Sequence, residues 1–115
     1  MLNLMEIEKE IMRFSHLLEA GLTALRESAK TYADADVAYR RAYSEAFLRA
    51  EGAATVREQI AQSAALEFRN AMQLSDGMRT AALEAVRSRR TQISALQSLL
   101  AAHKAEAEFA RTGPN

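Results

Sequence analysis

The residues with the clearest chemical potential are five bases between positions 79 and 104. They are Arg79, Arg87, Arg89, Arg90 and Lys104. The same segment holds a single acid, Glu84, so it carries a local excess of positive charge within a chain whose formal net charge is zero. Guanidinium and ammonium groups bind phosphates, and each neutralised phosphate makes the affinity more dependent on salt. The segment is therefore a candidate nucleic-acid interface.

Some of these bases also intrude on an apolar helical stripe. At 100° per residue, Arg79 and Arg90 lie only about 20° and 40° from the line of Val86. Two interpretations follow. Either the arginine stems lie on a helix–helix contact and the charged groups pair with acids of a neighbouring helix, or an oligomer aligns the arginines of its subunits into a basic surface or channel. In a hairpin that turns near residue 53, Arg79 is level with Glu27 and Arg87 with Glu19.

A row of aromatic residues is the second candidate binding feature. Tyr32, Tyr39, Tyr43 and Phe47 share one helical face. Exposed aromatic rings can stack on single-stranded bases, which makes Tyr39 and Tyr43 the candidate stacking residues. The alternative is that the row is simply part of the core stripe, because it continues the line of apolar residues before it.

The sequence shows no residue set for catalysis. It has two histidines, His16 and His103, and no cysteine. His16 lies opposite the apolar stripe, which predicts a solvated side chain. No metalloprotease, phosphate-loop, dinucleotide-binding or nucleophile-elbow motif is present. We therefore expect no enzymatic activity, no metal site and no cofactor.

Strong helix formers fill most positions, and the single proline is Pro114. An apolar stripe with helical spacing runs from Leu4 to about Ala50, which predicts one long helix over about 4–51. Asn3 and Glu6 have the spacing of a capping box at its start. Across "EGAATVRE" (51–58), Gly52 suits a helix C-terminus and Thr55 with Glu58 forms a second capping box.

A second helix is predicted over about 56–111, with Ser75–Gly77 as its weak point, where a kink or a new helix start is the alternative to continuity. The predicted fold class is thus all-α, with two long antiparallel helices in a hairpin. Residues 1–111 form a single helical domain, and 112–115 form a disordered tail. Because two helices cannot enclose a core, we expect the hairpin to form a homo-oligomer, as a helical bundle or a ring.

The composition and charge of the chain bear on its binding partners and its cellular location. The 15 basic and 15 acidic residues cancel, which argues against binding driven by global charge. No apolar run reaches the 18 residues of a membrane span, and acids follow the N-terminus where a signal peptide would carry bases. We therefore expect no membrane association and a cytoplasmic location, in a bacterium or a phage-infected host.

The C-terminal third resembles phage recombination mediators of the UvsY type. The similarity rests on "ALEAVRSR" (82–89), Ile93, "LQS" (96–98) and a short tail with Gly113, and upstream on "AYSEAFLRAEG" (42–52) before a polar loop. The resemblance implies an all-helical, oligomeric protein that binds single-stranded DNA and helps to load a recombinase. It also implies contact with a recombinase or a single-strand-binding protein.

The family's basic DNA-contact pattern falls near Ser44–Ala46 in this chain, where no base stands. The five candidate phosphate contacts therefore rest on local charge alone. The first functional hypothesis is a single-stranded-DNA-binding recombination mediator of phage or prophage type. The alternative is a coiled-coil-like interaction protein, acting as assembly chaperone, inhibitor or structural spacer without nucleic acid.

Overall fold

A computed structural model describes residues 2–113 of the chain. These residues form three α-helices, α1 (Leu4–Arg49), α2 (Ala54–Ala64) and α3 (Leu66–Thr112), and no strand is present among them. The all-α prediction is confirmed. Thr112 belongs to α3 and Gly113 follows it with a φ of 70°, while the remaining residues of the predicted tail, Pro114 and Asn115, lie outside the described residues.

The start of α1 follows directly from two side chains. The Asn3 carboxamide oxygen accepts the backbone N–H of Glu6 at 2.9 Å, and the Glu6 carboxylate accepts the backbone N–H of Asn3 at 3.3 Å. This reciprocal pair satisfies two N–H groups that have no partner within the helix. The predicted capping box is therefore confirmed, and it fixes the beginning of α1.

The turn differs from its prediction in one respect. Gly52 adopts the positive φ expected of it, at 110°, and α1 ends shortly before it. The predicted capping box of Thr55 and Glu58 is wrong, because the next helix begins earlier, with Ala53 as its N-cap and no side-chain hydrogen bond to the cap. Thr55 already lies within the first turn of α2, where its hydroxyl is in the wrong place to cap.

The predicted second helix is interrupted, but not at Ser75–Gly77. The interruption lies at Ala65, whose ψ of 4° separates α2 from α3. Helical assignment continues through 75–77, and the Ser75 hydroxyl donates to the Ala71 carbonyl at 2.8 Å instead of capping a new helix. The predicted continuity of the helix through Ser75–Gly77 is therefore confirmed, and the alternative of a new helix start there is wrong. A serine within a helix can donate its hydroxyl to the carbonyl oxygen four residues earlier, so its hydrogen-bonding capacity is met without ending the helix.

The chain divides into two compact units, each containing part of α1 and part of α3. One comprises Met1–Thr23 with Leu83–Asn115, and the other comprises Ala24–Ala82. In the first unit, Phe14 contacts Arg89, and Gly21 approaches Val86, with a Cβ built on Gly21 meeting the Val86 Cγ2 at 3.4 Å. Contact positions rise along α1 as they fall along α3, so the two segments are antiparallel.

Shielded positions recur every seven residues on both long helices, and we call these rows the seam. On α1 the seam includes Ile7, Phe14 and Gly21 in the first unit, and Leu25, Tyr32 and Tyr39 in the second. On α3 two rows form it. One contains Met72, Arg79, Val86, Ile93 and Leu100, and the other contains Ser75, Ala82, Arg89, Leu96 and His103. A sustained seven-residue repeat is the signature of coiled-coil packing.

The buried core is thin. Among the described residues, the buried apolar side chains are Ile7, Ala61, Ala65 and Val86, and two of these are alanines. Large apolar side chains that face solvent include Leu48, Leu74 and Phe109, which are 75%, 68% and 65% exposed.

Candidate nucleic-acid interface

The seven-residue repeat separates the five predicted phosphate contacts into two groups. Arg79 and Arg89 occupy seam positions and are partly shielded, whereas Arg87, Arg90 and Lys104 lie on the exposed surface of α3. The two groups have different partners within the chain.

Arg79 makes two contacts in the second unit. Its guanidinium carbon lies 4.8 Å from the ring centroid of Tyr32, and its Nη2 donates to the Asp76 Oδ1 at 2.6 Å. Its Nε is buried and has no hydrogen-bond partner. The stacked geometry places a cation over the negative face of the ring, which is favourable. One guanidinium N–H and one face of the cation are therefore engaged inside the chain.

Arg89 has a similar position in the first unit. Its guanidinium carbon lies 5.4 Å from the ring centroid of Phe14, and its Nη1 donates to the Gln92 Oε1 at 3.1 Å. The Phe14 ring also has the Arg13 guanidinium carbon 4.5 Å from its centroid. Arg89 therefore shares an aromatic ring with a second cation instead of pairing with an acid of α1.

A third arginine of this kind, Arg57, was missed by the sequence reasoning. Its guanidinium carbon lies 4.4 Å from the Phe47 ring centroid, and its Nε and Nη2 both donate to the Phe47 carbonyl oxygen, at 3.2 and 3.0 Å. That carbonyl is one of the last four of α1, which lack partners within the helix. An aromatic residue in the last turn of one helix and an arginine in the first turn of the next is a signal that could have found it.

Arg87, Arg90 and Lys104 remain accessible. The Arg87 side chain is 63% exposed and its Nη1 lies 3.3 Å from the Glu84 carboxylate, while Arg90 and Lys104 are exposed. Arg90 and Lys104 are fourteen residues apart, so they occupy the same helical row, about 21 Å apart along the axis. Of the five predicted phosphate contacts, these three are the ones with exposed side chains.

Within this chain, Arg79 and Arg87 do not pair with the acids of α1 that lie level with them. Arg79 pairs with Asp76 and Arg87 with Glu84, each three residues earlier on the same helix. A carboxylate at that spacing lies on the same face within easy reach. The acids level with them on α1, Glu27 and Glu19, make no ion pair with either arginine.

The candidate stacking residues are only half exposed. Tyr39 and Tyr43 approach each other edge to face, with ring centroids 6.3 Å apart and planes at 65°. Tyr43 also stacks on Phe47, at 6.4 Å and 14°. Both tyrosines border a shallow surface depression that also contains Arg40 and Ser44. Tyr39, Tyr43 and Phe47 thus contact one another in sequence, and the two tyrosine rings are partly exposed to solvent.

Ionisation is perturbed at one exposed pair of the first unit. The Arg13 Nη2 donates to the Glu10 carboxylate at 2.7 Å. This hydrogen bond lowers the pKa of Glu10 below its usual value, and the pKa of Arg13 is raised for the same reason. The pair is a surface contact within one turn of α1 and not part of a buried site.

In residues 2–113, no group of three or more metal-ligating side chains comes together. His16 is exposed, as its position on α1 predicts, and His103 is half-buried beside Leu4 and Met5. No helix in the described part of the chain is both long and apolar enough to cross a membrane.

Comparison of the chain with protein-family models, with curated proteins and with solved structures gave no match. The resemblance to UvsY-type mediators therefore stays a prediction.

Proposed function

We propose that this chain is a helical interaction protein that acts as a homo-oligomer, in the manner of an assembly chaperone, an inhibitor or a structural spacer. The observation that carries the proposal is the engagement of Arg79 and Arg89 with Tyr32 and Phe14 of the same chain. The two most shielded cations of the basic segment thus stabilise its own helix pair.

Diverting these arginines to phosphate would break existing contacts. A partly exposed ion pair three residues apart on one helix contributes about 0.2–0.5 kcal/mol, and a cation–π contact about 0.5–1 kcal/mol at an exposed site. Arg79 makes both kinds of contact. A phosphate would have to replace them before it added any affinity.

Single-stranded DNA binding is the second candidate, in the role of a phage-type recombination mediator with a recombinase or single-strand-binding protein as partner. It is favoured by Arg87, Arg90 and Lys104, which are exposed along α3. Three contacts instead of five would reduce the expected salt slope from about 3.5 to about 2 for single strands. The binding would be weak and independent of sequence.

The deciding experiment is fluorescence anisotropy of a labelled dT oligomer, titrated with the full chain over a salt series from about 50 mM upward. The interaction-protein proposal expects no binding at the lowest salt. The matched variants are Arg87→Gln/Arg90→Gln/Lys104→Gln on α3, and Lys9→Gln/Arg26→Gln/Arg41→Gln on α1, which remove the same charge.

Binding that weakens only in the α3 variant would overturn the interaction-protein proposal and support the mediator. Equal weakening in both variants would contradict the site assignment, since it would reflect overall charge and not these three side chains.

A further inference from the structure

One flank of α3, about 100° around the helix from the seam, carries a second seven-residue pattern, which we call the outer face. In the first unit its residues are Ala85, Ser88, Gln92, Ala95, Leu99 and Ala102. The same spacing occurs in the second unit, at Ala71, Leu74, Met78 and Ala81. None of these ten residues is charged, although a quarter of the chain is.

Large apolar side chains on the outer face are exposed. Leu74 is 68% exposed, Met78 58% and Leu99 36%, and Phe109, which extends the pattern, is 65% exposed. The spacing alternates between three and four residues, as in the seam. An uncharged stripe with this spacing fits another helix that has the same seven-residue repeat.

Large and small residues are distributed along this face so that, when a second α3 runs in the opposite direction, large residues lie opposite small ones. If a second α3 lies antiparallel with position 90 opposite position 90, Met78 faces Ala102, Leu99 faces Ala81, and Phe109 faces Ala71. At the centre, Ala85 faces Ala95 and Ser88 faces Gln92. Large residues thus meet small ones, which allows close packing of the two helices.

A parallel arrangement lacks this fit. It would place Met78 against Met78 and Leu99 against Leu99, with the alanines facing one another in between. In the antiparallel arrangement the least favourable pair is Leu74 with Glu106, whose aliphatic stem can cover the leucine while its carboxylate reaches water.

We propose that the outer face of α3 binds the outer face of a second copy of this chain in an antiparallel, two-fold symmetric pair. The pairing rests on the proposed function, because it identifies the partner of the interaction surface. A two-fold contact uses the same patch on both copies and closes on itself. The chain's zero net charge means that two copies do not repel each other at long range.

The available area is sufficient for such a contact. From Ala71 to Phe109 the helix axis extends about 57 Å, and a face about 10 Å wide gives about 1,100 Å² over the two copies. A biological interface with good complementarity should bury more than about 1,000 Å², and stable ones bury about 1,200–2,000 Å². Because few apolar side chains are buried within one chain, burial of this surface between two copies would add stability.

The test measures the mass of the full chain in solution by light scattering and sedimentation, with three variants. Ala85→Glu and Ala95→Arg each place one charge at the centre of the contact, and the third variant combines them. Alanine, glutamate and arginine are all good helix formers, so α3 should persist. The matched control is Ala101→Glu, at an exposed alanine on another side of α3.

We expect the unmodified chain and the Ala101→Glu control to have at least twice the chain mass of 12.7 kDa. Each single variant should weaken association about tenfold or more, because it buries an unpaired charge. The double variant should restore it, since antiparallel pairing sets position 85 of one copy against position 95 of the other.

A monomeric unmodified chain would overturn the proposal. Unchanged mass in both single variants would also overturn it, by locating the contact elsewhere. Failure of the double variant to recover would reject the antiparallel register. Binding of the dT oligomer by a dimeric chain would overturn the proposed function and leave this inference intact.

A cysteine cross-link tests the same register without adding a charge. The chain has no cysteine, so Ala85→Cys/Ala95→Cys introduces the only thiols. Positions that oppose each other at Cβ separations near 3.8 Å form disulfides readily. Mild oxidation should give a covalent dimer, whereas Ala85→Cys/Ala101→Cys should stay largely uncross-linked. Equal cross-linking of both pairs would contradict the register.

Discussion

Arginine side chains at seam positions combine an apolar and a polar role. The stem of Arg79 or Arg89 covers apolar surface, and the planar guanidinium lies over Tyr32 or Phe14. Lysine would reproduce this contact less well, because its compact, strongly hydrated ammonium can lie over a ring but cannot stack on it as a planar guanidinium does. The arginines are thus structural residues in a row that would otherwise be apolar.

Arg79 carries an unpartnered buried Nε, which leads to a prediction about its replacement. Arg79→Met keeps the packing volume and removes the orphan donor, so we expect the free energy of unfolding to change by less than about 1 kcal/mol. Arg79→Ala loses the packing as well and should be about 1–2 kcal/mol less stable than Arg79→Met. Urea denaturation monitored by circular dichroism measures both.

Equal destabilisation by Met and Ala would show that the charge, and not the stem, makes the contribution. Arg87→Met is the matched control for these variants, since Arg87 is exposed and away from the seam. It should leave the stability nearly unchanged.

The Glu10–Arg13 pair gives a prediction about ionisation. Arg13→Gln removes the hydrogen bond that lowers the pKa of Glu10, so the pKa of Glu10 should rise toward its ordinary value of 4.5. A carboxyl NMR titration measures the change, with Lys9→Gln as the control at an adjacent base. Because the folded-state pKa is lowered, the pair stabilises the fold above the ordinary carboxyl pKa. That contribution is lost as pH falls through the folded-state value.

At the scale of the helices, a boundary could be predicted where two side chains cap it by bonding to each other's backbone. The boundaries without such a pair could not be predicted to the residue. Asn3 and Glu6 satisfy each other's backbone groups, so the start of α1 could be predicted to the residue. Thr55 and Glu58 have the same spacing, but the chain enters the helix at Ala54 and the pair is not used. The interruption at Ala65 has no glycine or proline to mark it.

Gly77 lies where the sequence favoured a continuous helix and left a break as the alternative. The helix continues through it, and a Cβ atom at this position would meet nothing within 4 Å. We therefore expect Gly77→Ala to stabilise the protein by about 0.5–1 kcal/mol, through lower chain entropy in the unfolded state and better helix propensity. Thermal and urea denaturation at fixed protein concentration measure the gain.

Gly21→Ala is the comparison for this variant. Its new methyl group would meet the buried Val86 at 3.4 Å, so it should stabilise less than Gly77→Ala. A larger gain at position 21 would show that the seam has free space beside Val86.

At the scale of the whole chain, the candidate site was only partly predictable for a physical reason. Charge counting located the five bases, and helical angles placed Arg79 near an apolar line. Whether a guanidinium meets a phosphate, an acid or a ring depends on what the neighbouring helix presents at that level. Tyr32 and Phe14 supply rings there, which the angles of a single helix cannot reveal.

The uncharged outer face predicts how association responds to salt. Since no charged group lies between Ala71 and Ala102 on that face, raising sodium chloride from about 50 to 500 mM should leave the mass in solution unchanged. Sulfate should strengthen association, because it favours the burial of apolar surface. Dissociation by sodium chloride, followed with the same light scattering, would indicate that ion pairs hold the copies together.

The contact between Arg57 and Phe47 has a consequence for the order of events during folding. The two residues are ten positions apart and the arginine closes the end of α1. A loop of that length closes in about 10–100 ns, far faster than contacts between distant parts of the chain. We expect the turn between α1 and α2 to form first, and the contacts between α1 and α3 to form afterwards, beginning with those nearest the turn. Arg57→Met should then slow refolding in stopped-flow experiments while changing the unfolding rate little.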